Sequence, residues 1–242
     1  MQGFLEKIFQ FLLPSQCRLC EAFLGEEEEG ICPGCLSKIR WIEPPFCTVC
    51  GTPFLSADVE NHPCGECLKK SKYFTAARAV GYYTGPLQEA IHLWKYEGKL
   101  TLTPLFGEWM AKAFQHHGSP ESFDLLVPVP LYVKRLRQRG VNQALLLVRE
   151  LSRHTGIPTR KRLLQKTRPT VPQVQLTGAE RAKAVKGTFR VRRESDAEGK
   201  SILLVDDVYT TGATVNECAR VLMASGAARV EVLTLARAVK LW

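Results

Sequence analysis

No stretch of 18 or more apolar residues occurs anywhere in the 242 residues, which argues against a membrane-spanning helix. The start of the chain lacks the basic segment and small-residue cleavage site of an export signal. What stands there instead is one apolar helical face, Phe4, Leu5, Ile8, Phe9, Leu12 and Leu13, read as a short docking helix, with interfacial membrane contact as the other reading. Without an export signal the expected compartment is the cytoplasm. Acidic residues are scarce in one region only: from Leu131 to Arg193 there are 17 Lys or Arg against 2 acids, although the whole chain has 33 against 24. The remainder is therefore net acidic, and the basic excess is a local field that suits a polyanion, either pyrophosphate or nucleic acid. Aromatics are equally sparse in that region, Tyr132 and Phe189 alone, which leaves few platforms for stacked bases and favours a small anion.

Cysteine, by contrast, is plentiful, and eight of the nine fall in four Cys-x-x-Cys pairs: Cys17/Cys20, Cys32/Cys35, Cys47/Cys50 and Cys64/Cys67. Thiolates two residues apart form half of a tetrahedral Zn²⁺ site, so the count predicts two structural Zn²⁺ ions per chain. Local pairing would put Cys17, Cys20, Cys32 and Cys35 on one ion and Cys47, Cys50, Cys64 and Cys67 on the other, closing the shorter loops; interleaved pairing is the alternative. A disulfide framework would need an oxidising compartment. His62 lies among the pairs as a bystander, and the run Glu26 to Glu29 reads as an exposed turn. So small a segment has little core, and chelation is expected to unfold residues 1–72 while sparing the rest.

From residue 73 to 242 the pattern is α/β. Strand-like stretches at 76–83, 125–130, 162–165, 202–205 and 229–235 alternate with helical ones at 86–96, 102–116 and 143–154, which argues for a mainly parallel sheet of about five strands. Two Arg-bearing stretches, 134–143 and 168–176, follow strands as long loops suited to closing over an anion.

The stretch that organises this half is Ser201 to Val215. Apolar residues Ile202 to Val205 read as a strand buried on both faces that runs into Asp206 and Asp207. A turn of hydroxyls and glycine follows, Thr210, Thr211, Gly212, Ala213 and Thr214, and then an amphipathic helix with Val215, Ala219, Leu222 and Met223 on its apolar face and Cys218 in the core. Helix N–H groups over a Gly turn favour a phosphate, whereas carboxylates suit a ribose diol or Mg²⁺. The pattern of apolar strand, Asp-Asp, two residues and Thr-Thr-Gly-x-Thr resembles the phosphoribosyl-pyrophosphate (PRPP) motif of type I phosphoribosyltransferases. The likeness implies the 5′-phosphate in the turn and the 2′- and 3′-hydroxyls on Asp206 and Asp207.

Across nearly the whole chain the resemblance is to the ComF family of competence-associated, phosphoribosyltransferase-like proteins. It is carried by the cysteine knuckles, His92-Leu93-Trp94-Lys95-Tyr96-x-Gly98, Pro128-Val129-Pro130 with Arg135 and Arg139-Gly140-x-Asn142-Gln143, then Arg168-x-Thr170-x-x-Gln173-x-x-Leu176 with Glu180-Arg181, and the PRPP motif. Val141 and Ala184 depart from the usual Phe and Asn. The resemblance implies a type I phosphoribosyltransferase fold behind a double zinc ribbon, with Mg²⁺-PRPP as ligand and Asp206 and Asp207 at the catalytic centre. Lys95, Arg139, Arg168, Gln173 and Arg181 are the candidates for the pyrophosphate. Thr210 stands where some purine-specific members of the wider class carry a carboxylate, so no general base is evident. Competence membership also implies the alternatives of a protein that handles single-stranded DNA with the DNA-uptake machinery, or a PRPP-responsive regulator without turnover.

Overall fold

A computed structural model describes residues 15–25, 28–56, 58–117, 119–169 and 178–239. The apolar face within residues 1–13, Glu26 of the acidic run, and Gln173 lie outside them. The strands are β1 (Ala76–Tyr82), β2 (Leu125–Pro128), β3 (Leu164–Lys166), β4 (Phe189–Val191), β5 (Ser201–Tyr209) and β6 (Arg229–Arg237). The helices are α1 (Pro33–Leu36), α2 (Gly65–Lys69), α3 (Gly85–Tyr96), α4 (Thr103–His117), α5 (Val133–Arg139), α6 (Gln143–Thr155), α7 (Gly178–Val185) and α8 (Ala213–Ala224).

Four strands form one sheet in the order β1-β6-β5-β2, and every pairing in it is parallel. Crossover helices cover both faces, as the unbroken apolar runs of β5 and β6 require. Leu203, Val205, Leu233 and Leu235 pack on one side with Trp94, Phe106 and Leu147 from α3, α4 and α6. Ile202, Leu204, Val230 and Val232 pack on the other with Val215, Cys218 and Leu222 from α8. Met223, counted by its spacing on that face, is instead exposed.

The sheet has four strands, not the expected five. The chain touches the edge of β2 at a single bridge, Leu126 to Thr159, flanked by Leu126 N–H to Pro158 O and Arg160 N–H to Leu126 O, both 2.9 Å. Beyond that point come Arg160, Lys161 and Arg162, whose charges cannot enter a covered layer. The segment turns away, and β3 pairs antiparallel with β4 in a separate two-stranded hairpin. Helix α5 also falls where sequence periodicity shows only a loop, because Lys134, Arg135, Arg137 and Arg139 leave it no buried residue. It stops at Gly140, at φ +74°, and Asn142 caps α6 by accepting from Ala144 N–H while donating to Val129 O.

The cysteine-rich segment is built into this core. Cys17, Ile31 and Ile39 are buried with the α3–α4 side, and Trp41 meets Trp109 edge to face at 5.1 Å. Residues 40–42 run antiparallel along β1 through Ile42 N–H to Val80 O and Tyr82 N–H to Arg40 O, covering an otherwise open edge. Val49 O accepts from Ala77 N–H at 2.7 Å, and Arg78 donates to Thr48 O at 3.0 Å while lying 4.8 Å over the Phe46 ring. The expectation that residues 1–72 could unfold alone therefore gives way: losing them would uncover β1 and part of the apolar core.

Gly51 is the tightest point of that junction. Its φ is +72°, and a Cβ there would run into the carbonyl oxygen of Ala77. Gly51→Ala is expected to destabilise the whole chain by at least about 2 kcal/mol through backbone strain and overpacking. Denaturant unfolding of the metal-replete protein measures this, and an unchanged midpoint would show that the ribbon does not bear on the sheet.

Candidate functional site

Strand β5 does not stop at its carboxylates. It continues for pairing of Asp206 with Thr234, Val208 with Ala236 and Tyr209 with Arg237, so both acids sit within the strand at its C-terminal end. The turn Thr210 to Gly212 follows and opens directly into α8, whose N-cap is Gly212 in the left-handed region; Gly212 has no side chain to cap the helix, and Thr211 Oγ1 accepts from Ala213 N–H at 3.4 Å. The free N–H groups of that first turn carry the positive end of the helix dipole. Thr210 and Thr211 are exposed there, and Ala213 and Thr214 are half-buried.

The two acids have different surroundings. Asp207 Oδ1 lies 2.8 Å from Lys95 Nζ on α3, with side-chain exposures of 17% and 10%. Asp206 accepts from the N–H of Asp207 at 2.9 Å. Loss of hydration, and next the neighbouring charge of Asp207, push the Asp206 carboxyl up to about 7, against the pull of that N–H and of Lys95 and Lys166. Lys166, at the end of β3, is lowered by burial and by Arg135, and the field of Asp206 acts on it in the opposite sense. Its ammonium also lies 5.2 Å over the Phe189 ring. The acids thus meet cations from two separate elements, α3 and β3.

Among the residues expected at the site, Lys95 is brought onto Asp207, and the chain from Asp206 to Thr214 runs from the strand end through the turn into α8, with Tyr209 and Gly212 buried in it. Arg139 does not reach the acids: it donates to the Tyr96 hydroxyl at 3.0 Å and lies 4.9 Å over that ring, one residue beyond Lys95. Arg168 is exposed and makes no ion pair with any described residue. Arg181 lies on α7, with its side chain outside the described residues. Lys166 and Tyr209 went unnoticed in the sequence; neither has a spacing signal, since Lys166 is one of 17 cations in the basic region and Tyr209 reads as turn.

Between α5, α6 and the β3–β4 hairpin lies a cavity of about 690 Å³. Arg149, Lys161, Arg162, Lys166, Arg190 and Arg192 line it around a floor that includes Leu145 and Leu164, and no acid does. It borders the carboxylate pair through Lys166 but contains neither Asp206 nor Asp207.

The cysteines resolve into the local pairing. Sγ atoms of Cys17, Cys20, Cys32 and Cys35, and those of Cys47, Cys50, Cys64 and Cys67, lie within 4.8 Å of one another in each set. The Cys20–Cys32 and Cys50–Cys64 separations, 3.6 and 3.7 Å, match the roughly 3.8 Å edge of a tetrahedron with Zn–S bonds of about 2.3 Å. Burial alone would push up the Cys17 and Cys47 thiols, but backbone N–H groups hold each at about 6, chiefly those of Cys32 on Cys17 and of Cys64 on Cys47. Thiolates stabilised this way suit two structural zinc ions. His62 belongs to neither set and stacks on Phe54 at 4.3 Å.

The double zinc ribbon domain family matches residues 8–68, and the phosphoribosyl transferase domain family matches residues 108–240. DNA utilization protein YhgH of Salmonella typhi is 34% identical over 229 residues, covering 93% of this chain and 98% of that protein. Competence protein F of Haemophilus influenzae is 30% identical, covering 92% and 97%, and competence protein ComFC of Bacillus subtilis is 29% identical, covering 91% and 94%.

Asp206 gives a pH signature with a definite sign. Its folded carboxyl titrates near 7 against an ordinary 3.8, so between those values the folded state holds a proton that the unfolded state has released. Its contribution to stability is therefore lost as pH rises through that window. Asp206→Asn should melt progressively higher relative to wild type from pH 5 to pH 8, measured without Mg²⁺. Parallel melting profiles for the two proteins would contradict the assigned environment.

Proposed function

The chain belongs to the ComF family of phosphoribosyltransferase-fold proteins, and from that premise we propose that it works on Mg²⁺-PRPP at the turn after β5. The observation that carries this reading is the adjacency of an acidic strand end, Asp206-Asp207, and a glycine-capped helix start, Thr210 to Thr214. The 5′-phosphate takes the N–H groups of α8 and the hydroxyls of Thr211 and Thr214. The ribose diol takes Asp206 and Asp207, which are also the acceptors available to Mg²⁺; that ion, when bound, supplies charge that neutralises the pyrophosphate. Lys95 is held against Asp207 in the free protein and is placed to pass to an arriving anion. Lys166 adds its field at Asp206, with Arg135 behind it, and cationic charge there favours a departing pyrophosphate over an intact ester. Arg139, Arg168, Gln173 and Arg181 remain proposed for the same leaving group.

Residues 1–72 act in this reading as the zinc-ribbon unit and residues 73–242 as the transferase-like unit. The reduced cysteine sets suit a cytoplasmic site of action. The reaction is transfer of the phosphoribosyl group to an acceptor, with C1–O bond cleavage to pyrophosphate. Release of pyrophosphate from PRPP over a panel of acceptors tests turnover, and its absence with all of them would favour a PRPP-responsive regulator.

A second reading, single-stranded DNA handling beside the DNA-uptake machinery, draws on the cationic cavity between α6 and the hairpin and on relatives named for DNA utilization and competence. Lys161 and Arg162 line that cavity and Asp207 does not, so removing Arg160, Lys161 and Arg162 together should weaken DNA binding and make its loss with salt shallower, while PRPP affinity holds. DNA affinity indifferent to that triple change would end this reading.

Asp207→Asn should weaken Mg²⁺-PRPP binding at least about tenfold, since a lost charged acceptor costs about 1.5–3 kcal/mol. Calorimetric titration checks it. Unchanged affinity in both Asp206→Asn and Asp207→Asn would remove the ribose site.

A further inference from the structure

One buried cation is not accounted for by the site described above. Arg237, at the last position of β6, is 7% exposed, and no carboxylate among the described residues lies within ion-pair distance of it. Its guanidinium reaches in two directions. On one side Nη1 donates to the carbonyl oxygen of Cys50, and Nη2 donates to Thr52 Oγ1 and lies 3.7 Å from Cys50 Sγ. Thr52 Oγ1 is itself 3.1 Å from that sulfur. On the other side the guanidinium stands 4.1 Å over the ring of Tyr209, its register partner on β5.

Tyr209 continues the line. It is buried at 4% exposure, and the backbone of Gly212 lies directly against its ring: a Cβ on Gly212 would collide with the Tyr209 Oη, Cζ and Cε1. Gly212 is also the N-cap of α8, at φ +74°. Three consecutive steps, Cys50 and Thr52 to Arg237, Arg237 to Tyr209, Tyr209 to Gly212, thus run from the second cysteine set to the centre of the phosphate turn. A divalent ion on four thiolates carries a net double negative charge, which is what a buried guanidinium requires opposite it. Closure of Cys47, Cys50, Cys64 and Cys67 around metal also fixes the Cys50 carbonyl and the Thr52 hydroxyl that aim the fork.

We propose that Arg237 is a positioning residue through which metal in the second cysteine set holds the phosphate turn in its binding shape. This inference rests on the PRPP reading of that turn. The first set has no such path among the described residues: Cys17, Cys32 and Cys35 pack with the opposite, α3–α4 side of the sheet. Metal in Cys47/Cys50/Cys64/Cys67 and PRPP on Thr210 to Thr214 therefore favour each other, and the coupling must be reciprocal.

The test uses the full-length, zinc-replete chain. Zinc affinity is measured by competition with a zinc-selective chelator that ignores Mg²⁺, with and without saturating Mg²⁺-PRPP, and PRPP binding is followed separately by calorimetry. We expect Mg²⁺-PRPP to tighten one of the two zinc ions by about fivefold or more and to leave the other unchanged. In Arg237→Gln the tightening should vanish. If Arg237→Gln does not fold, Thr52→Val removes one arm of the fork and should reduce the tightening with the fold intact. PRPP that binds wild type while leaving both zinc affinities unchanged overturns the coupling alone. Failure of wild type to bind PRPP at all overturns the PRPP reading and the coupling with it. Equal tightening in wild type and both fork variants would show that Arg237 is not the link.

Discussion

A strand covered on both faces can carry a carboxylate only where its cover ends, and on β5 that point falls at Asp206. Everything at the site depends on it. The two apolar layers hold β5 rigid up to Val205, the parallel pairing with β6 carries the backbone on through Tyr209, and the turn is then delivered to the N-terminus of α8 at a fixed distance from the acids. Because the acids emerge at the boundary of the core, they are only partly hydrated, which is why Asp206 resists ionisation and why Asp207 keeps a lysine against it. A ligand that brings its own cation and its own hydroxyls resolves both conditions at once.

The ribbon segment serves the same sheet from the other edge. Its residues 40–42 close the free side of β1, Gly51 and Val49 lie on the Ala77 backbone, and Arg237 reaches back from β6 into the second knuckle. A small cysteine-rich unit lacks the area to fold on hydrophobic burial alone. Here it borrows that area from the larger unit, and it contributes edge protection and a fixed anchor for a buried guanidinium. The arrangement explains why metal binding and sheet integrity belong to one structural account rather than two.

Much of this was legible from local sequence. Cys-x-x-Cys spacing carries zinc chemistry within four residues, and the run from Ile202 to Val215 contains the whole of strand, turn and helix start, so both could be read without knowing the fold. What could not be read depends on partners far apart in the chain. Lys95 and Asp207 are 112 positions apart, and nothing in the helix around Lys95 says which strand end it faces. Arg237 and Cys50 are 187 apart. Helix α5 escaped for a different reason: with cations on all sides it has no apolar periodicity, and it forms over the chain that follows β2 without burying a side chain. The stretch 162–165 was read as a strand of the main sheet, and β4 was not read as a strand, because three residues carry too little pattern to tell a central strand from a detached one.

The central claim is that the acidic end of β5 and the turn after it form one sugar-phosphate site. The most direct measurement is a crystal structure of the full chain with Mg²⁺ and PRPP. The account predicts the 5′-phosphate over the backbone of Thr211 to Thr214, the ribose hydroxyls within hydrogen-bond reach of Asp206 and Asp207, and Lys95 moved off Asp207 toward the pyrophosphate. PRPP seated elsewhere, with the Lys95–Asp207 pair still closed, would contradict it.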